Sequence, residues 1–120
     1  MYEVRIEEGF QNLHYLNDLK INFMIIVHDI FICKPGQASK MAKMFKSAMA
    51  EIGETVEVMT DMTGQFNKVV MVSKYENLAA YEVSFDKFMK DPEMMKKMGE
   101  SMAGYHEMFY TGSREIYKQW

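Results

Sequence analysis

The chain is poor in the residues that staple or interrupt a fold: one cysteine, two prolines and one tryptophan in 120 residues. A lone Cys33 excludes an internal disulfide and leaves stability to hydrophobic burial. That suits a reducing compartment, and a cytoplasmic protein is expected. The apolar runs stop well short of the ~20 residues a helix needs to cross a bilayer, so no membrane role is expected. The opening "MYEVRIEEGF" carries acids among its apolar residues and has no continuous apolar stretch, which does not read as a signal peptide. A basic excess is missing too. Lys and Arg number 14 against 17 Asp and Glu, for a formal net charge of −3. No nucleic-acid partner is expected of such a chain. The three histidines, His14, His28 and His106, show no paired spacing. Neither a metal site nor a cofactor is therefore expected.

What the chain has in excess is methionine, 14 residues. The pairs Met41/Met44, Met59/Met62 and Met95/Met98 have the spacing of a soft thioether site for Cu(I). They also fall where a helix or strand needs a hydrophobe, and methionine fills irregular apolar surface adaptably. They read as core or pocket filler. With 48% apolar and 26% charged residues, the chain is globular and long enough to bury a core as one domain.

Residues 2–8, "YEVRIEE", alternate like a strand and end at Gly9, so residues 1–21 are expected to form an N-terminal arm. The domain proper is expected over residues 22–120. It opens with an apolar strand over about 22–33, closed by Lys34-Pro35-Gly36. From Gln37 to Ile52 the apolar residues Ala38, Met41, Met44, Phe45, Ala48, Met49 and Ile52 follow helical spacing, with Lys40, Lys43 and Lys46 mostly opposite and Gly53 as the stop. "TVEVMTDM" and "FNKVVMVSKY" read as a hairpin around Thr63-Gly64-Gln65. Asn77 then caps a helix whose stripe is Leu78, Tyr81, Phe85 and Phe88. Asp91-Pro92 interrupts and restarts it with a second stripe of Met94, Met95, Met98 and Met102. "HEMFYTGSREIYKQW" supplies a last strand. The order βαββαβ predicts an α+β, ferredoxin-like fold: a four-stranded antiparallel sheet with its helices on one face.

Both faces of the first strand are apolar. One set is Met24, Ile26, His28, Ile30 and Ile32; the other is Ile25, Val27, Asp29, Phe31 and Cys33. An uncovered face this apolar predicts a homodimer that packs sheet against sheet. His28 and Asp29 are neighbours and must point to opposite faces. Asp29 is expected in the space between the sheets, where a buried carboxylate must be paired, hydrogen-bonded or protonated.

"KPG" after a strand, the amphipathic helix, the hairpin and then "KYENLAAYEVSFDKFMKDPEM" together resemble the dimeric α+β barrel superfamily, and within it NIPSNAP-like proteins and the antibiotic-biosynthesis monooxygenase group. Their third strand likewise enters a helix through a Tyr-Glu step and later meets Asp-Pro. The resemblance covers about residues 22–120 and implies the fold and the dimer. It carries no single activity. Heme degraders of that superfamily use an Asn on the first strand, a Trp ending the third and a His on the second helix. Asp29 and Tyr75 lie near the first two positions, and residues 77–104 contain no His, so heme degradation is disfavoured.

Two functions follow. The first is an apolar pocket between the sheets for a small lipophilic molecule of fatty-acid, quinone or polyketide type. Its expected walls are Val27, Phe31, Val69, Met71, Tyr75 and Tyr110, with Asp29 and Ser73 as sparse polar groups. The plain alternative is a filled dimer core. The second is a cofactorless monooxygenase or isomerase, with Asp29 as general base in an apolar site that raises its pKa. Tyr75, Tyr110 or His106 would donate to the developing oxyanion. No nucleophile–base–orienter set is legible, so whether the chain is an enzyme stays open. An RNA-recognition module shares the topology but needs stacking aromatics where "KVVMVSKY" offers aliphatics.

Overall fold

The computed structural model describes residues 24–120. Four strands, β1 (Ile25–Cys33), β2 (Glu57–Thr60), β3 (Lys68–Tyr75) and β4 (Phe109–Lys118), and three helices, α1 (Ala38–Glu51), α2 (Leu78–Met89) and α3 (Pro92–Ser101), follow one another as β1-α1-β2-β3-α2-α3-β4. The sheet is antiparallel in the order β2-β3-β1-β4. This is the expected ferredoxin-like arrangement, its second helix divided in two. The expected arm over residues 1–21 lies outside the described residues.

Helix α1 forms where the apolar residues recur at helical spacing. Met41, Phe45 and Ala48 are at most 1% exposed, while Lys40, Lys43 and Lys46 face water. The helix lies on β2 and β3. Gly53 follows its last turn with a φ of 79°, a left-handed conformation that glycine adopts without steric cost. Met41 and Phe45 pack with Cys33, Val69 and Met71 as the core. Phe31 joins that core edge-on to Phe45 and to Phe109, with ring centroids 5.0 Å apart in each case.

Asn77 caps α2 as expected, its side-chain oxygen accepting from the Ala80 N–H at 2.8 Å. Asp91 caps α3, accepting from the Met94 N–H at 3.1 Å with Pro92 in the first turn. Each cap satisfies one of the N–H groups that the first turn leaves open. The hairpin differs from expectation. β2 spans only Glu57–Thr60, and residues 61–67 form a broad loop rather than a tight turn. Asp61 Oδ1 accepts from the Lys68 N–H at 2.8 Å, and Asn67 takes a φ of 62°. The Asp61 N–H in turn donates to the Lys68 carbonyl at 3.2 Å, so side chain and backbone together close the base of the loop.

Alternation settles which set of β1 faces the helices. Val27, Asp29, Phe31 and Cys33 lie beneath them, beside Val69, Met71 and Ser73 of β3. Ile26, His28, Ile30 and Ile32 lie on the opposite face with Val70 and Val72, where the His28 and Tyr117 rings meet at 5.2 Å.

Candidate functional site

Helix α1 covers one half of the sheet; the α2–α3 pair stands away from the other. Neither α2 nor α3 has a buried residue. The gap is a half-open cleft of about 1060 Å³ between the sheet, the end of α1 and the inner faces of α2 and α3. That volume lies at the top of the ~300–1,000 Å³ range of small-molecule sites. Its wall is mainly apolar: Met49, Met71, Phe88, Met94, Met98 and Met102 contribute from four elements. Tyr81, Phe85 and Phe88 of α2 and Met94, Met98 and Met102 thus face an opening instead of closing a core, while Leu78 and Met95 are exposed outside it. A smaller depression, about 370 Å³ beside Ala38, Thr60 and Phe66, holds none of the expected site residues.

Polar groups line the cleft from the sheet (Asp29, Ser73 and Arg114) and from the helix side (Ser84, Lys87 and Asp91). Asp29 is 8% exposed, and its Oδ1 accepts from Arg114 Nε at 2.5 Å. Arg114 comes from β4, directly across the ladder from Asp29. Its side chain is half exposed while that of Asp29 is not, so the pair joins a buried anion to a cation in contact with water. Charge-assisted bonds of this kind satisfy a carboxylate that burial alone would penalise. Hydrogen bonding to Asp29 holds the Arg114 guanidinium above its ordinary range, burial opposes this, and the charge of Asp29 and the Tyr81 hydroxyl add to the rise. Tyr81 meets Tyr75 edge-on at 5.1 Å, and both line the cleft with Ser73 and His106.

Asp29 was expected in a space between two sheets; it faces the helices of its own chain. The neighbours do point to opposite faces, but both faces of β1 are apolar, so alternation alone does not say which meets the helices. The expected wall residues move with it. Phe31, Met71, Ser73 and Tyr75 line the cleft beside Asp29. Val27 is 1% exposed and Val69 belongs to the packed core; neither reaches the cleft. Tyr110 is 68% exposed on the edge strand, away from the cleft. Arg114 had no sequence signal of its own: it sits in an alternating strand, 85 residues from its partner. A carboxylate within a buried strand was the available hint that a cation had to lie nearby.

Cys33 is buried and lacks the electropositive surroundings of a reactive thiol. Burial pushes its pKa up, which favours the inert thiol form. Among the described residues no group of His, Cys, Asp and Glu is arranged to hold a metal ion, and no helix is long and apolar enough to cross a membrane.

A family model, NIPSNAP, matches residues 29–111. The chain belongs to the NIPSNAP family. Solved structures agree at the level of fold. A NIPSNAP family protein from Agrobacterium tumefaciens shares 14% identity over 78% of this chain and 90% of its own, with a TM-score of 0.63. An uncharacterised NIPSNAP-like domain protein from Burkholderia xenovorans shares 17% over 78% and 82%, again at 0.63. A candidate antibiotic biosynthesis monooxygenase from Chloroflexus aurantiacus shares 8% over 80% and 92%, at 0.57. No curated protein matches. The NIPSNAP match runs from the buried Asp29 to the start of β4.

Proposed function

We propose that this NIPSNAP protein binds a small lipophilic molecule, of fatty-acid, quinone or polyketide type, in the cleft between its sheet and the α2–α3 pair. The observation that carries this is the cleft itself, about 1060 Å³ with a methionine and phenylalanine wall and the Asp29–Arg114 pair at the sheet. Two amphipathic helices that present their stripes to an opening have given up burial worth about 25 cal/mol per Å². A ligand that fills the opening recovers it. Flexible methionines suit a wall that must adapt to its occupant.

The chain acts as a homodimer in this reading, through the sheet face opposite the helices. Support comes from Ile26, Ile30, Ile32, Val70 and Val72 lying together on that face. Native mass spectrometry of protein purified without added ligand, followed by denaturation and identification of any released small molecule, tests both parts. A dimer with a stoichiometric apolar adduct is expected. A monomer removes the sheet-to-sheet dimer, and a chain that takes up no lipophilic molecule on titration removes the pocket.

A second reading is a cofactorless monooxygenase or isomerase with Asp29 as general base. It is supported by Asp29, Tyr75 and His106 sharing the cleft and by the likeness to the Chloroflexus protein. Against it, Arg114 already occupies Asp29 Oδ1. Oxygen uptake or isomerisation that Asp29→Asn abolishes would favour this reading.

A further inference from the structure

Resting on the cleft as a lipophilic site, we infer that Arg114 is its headgroup receptor, that Asp29 positions Arg114 rather than acting as a base, and that the ligand is an amphiphile ending in a carboxylate. The geometry runs from the pair outward. Asp29 takes the Nε–H of Arg114 through Oδ1, and the Tyr81 hydroxyl is a second group that engages the guanidinium. A guanidinium has five N–H donors in a planar fork. These two contacts leave further donors on a side chain that is half exposed and lines the cleft.

That exposure decides what can enter. An apolar molecule without acceptors would strip water from the Arg114 donors and leave them unpaired, at the full desolvation penalty of charged groups. The occupant must bring an acceptor, and a planar two-oxygen carboxylate matches the fork best. Ser73, Tyr75 and Tyr81 add hydroxyls on the same side of the cleft. Lys87 of α2 also lines the cleft, as do the carboxylates of Glu54 and Asp91. The Met94, Met98 and Met102 wall takes the hydrocarbon. Fixed by Asp29 from the sheet side, Arg114 loses less conformational freedom when it closes on the ligand, as preorganised receptors do.

The test compares decanoate with decan-1-ol, which share a chain length and differ in the headgroup, by isothermal titration into the full-length protein. Decanoate is expected to bind about tenfold to a hundredfold more tightly, the range for a hydrogen bond to a charged group. Arg114→Gln should abolish the preference while decan-1-ol binding persists. Asp29→Ala removes the acceptor that fixes Arg114 and should weaken the preference, whereas Asp29→Asn, which keeps an acceptor, should restore most of it. The double variant Asp29→Asn/Arg114→Gln leaves no unpaired buried charge and should also bind both probes alike. Equal binding to the unaltered protein, or an undiminished preference in Arg114→Gln or in Asp29→Ala, overturns the headgroup assignment alone. If neither probe binds, the lipophilic cleft fails first and this inference with it.

Discussion

Helix α1 buries Met41, Phe45 and Ala48 to within 1% exposure, whereas the α2–α3 pair, with apolar residues at helical spacing of its own, buries no residue. Both lie over the same sheet face and both obey the helical period. The difference is what stands opposite. Beneath α1 the sheet offers Cys33, Val69 and Met71, which interlock with the helix. Beneath α2 and α3 it offers Asp29, Ser73 and Arg114, and polar groups that must keep their partners do not close into a dry core. One region is packing; the other is a vacancy with an apolar roof.

The largest effects should come from the packed half. Phe45→Ala is expected to cost about 3–5 kcal/mol in urea unfolding, from lost transfer energy and a cavity. Phe88→Ala, on the cleft roof, should cost only about 1 kcal/mol. Equal costs would erase the contrast. Arg114→Met comes next. It strands a buried carboxylate, but the exposed side of the pair is well solvated, so about 1–2 kcal/mol is expected. Asp29→Asn should cost less, because the cation left behind still reaches water.

Asn77→Ala removes an N-cap worth about 1 kcal/mol. With α2 so lightly packed, that loss should appear as amide exchange roughly five times faster over Leu78–Met89, with little change in the global urea midpoint. A matching fall in global stability would mean that α2 unfolds with the core. The smallest effect belongs to Cys33, whose pKa burial raises above its ordinary value of 9.0. The unfolded thiol ionises first, so this contribution is complete below that value and is lost as pH rises beyond it. Stability of the unaltered chain should therefore fall more steeply above pH 9.0 than that of Cys33→Val.

Much of the frame was legible because punctuation is local. Asn77, Asp91-Pro92 and Gly53 each fix a helix boundary through their own backbone chemistry, and each acts where expected. The opposed orientation of His28 and Asp29 was legible too, since it needs only the pleat. Which of them meets the helices was not, because Ile26, Ile30 and Ile32 are as apolar as the set beside Asp29. Nor does the Met94, Met98 and Met102 stripe announce whether it closes a core or roofs a cleft; that depends on side chains from distant strands. The Asp29–Arg114 pair is the clearest case, joining two strands from opposite ends of the described chain.

Gly112 of β4 faces Phe31 across the ladder, and a Cβ there would lie 3.3 Å from the ring. Even alanine would make the ring yield by a few tenths of an ångström. Phe31 belongs at once to the aromatic cluster of the core and to the wall of the cleft. The size of the chamber is thus adjustable from a residue that does not line it. A single change on an outer strand can reshape the chamber while Arg114, the methionine roof and the other wall residues stay untouched.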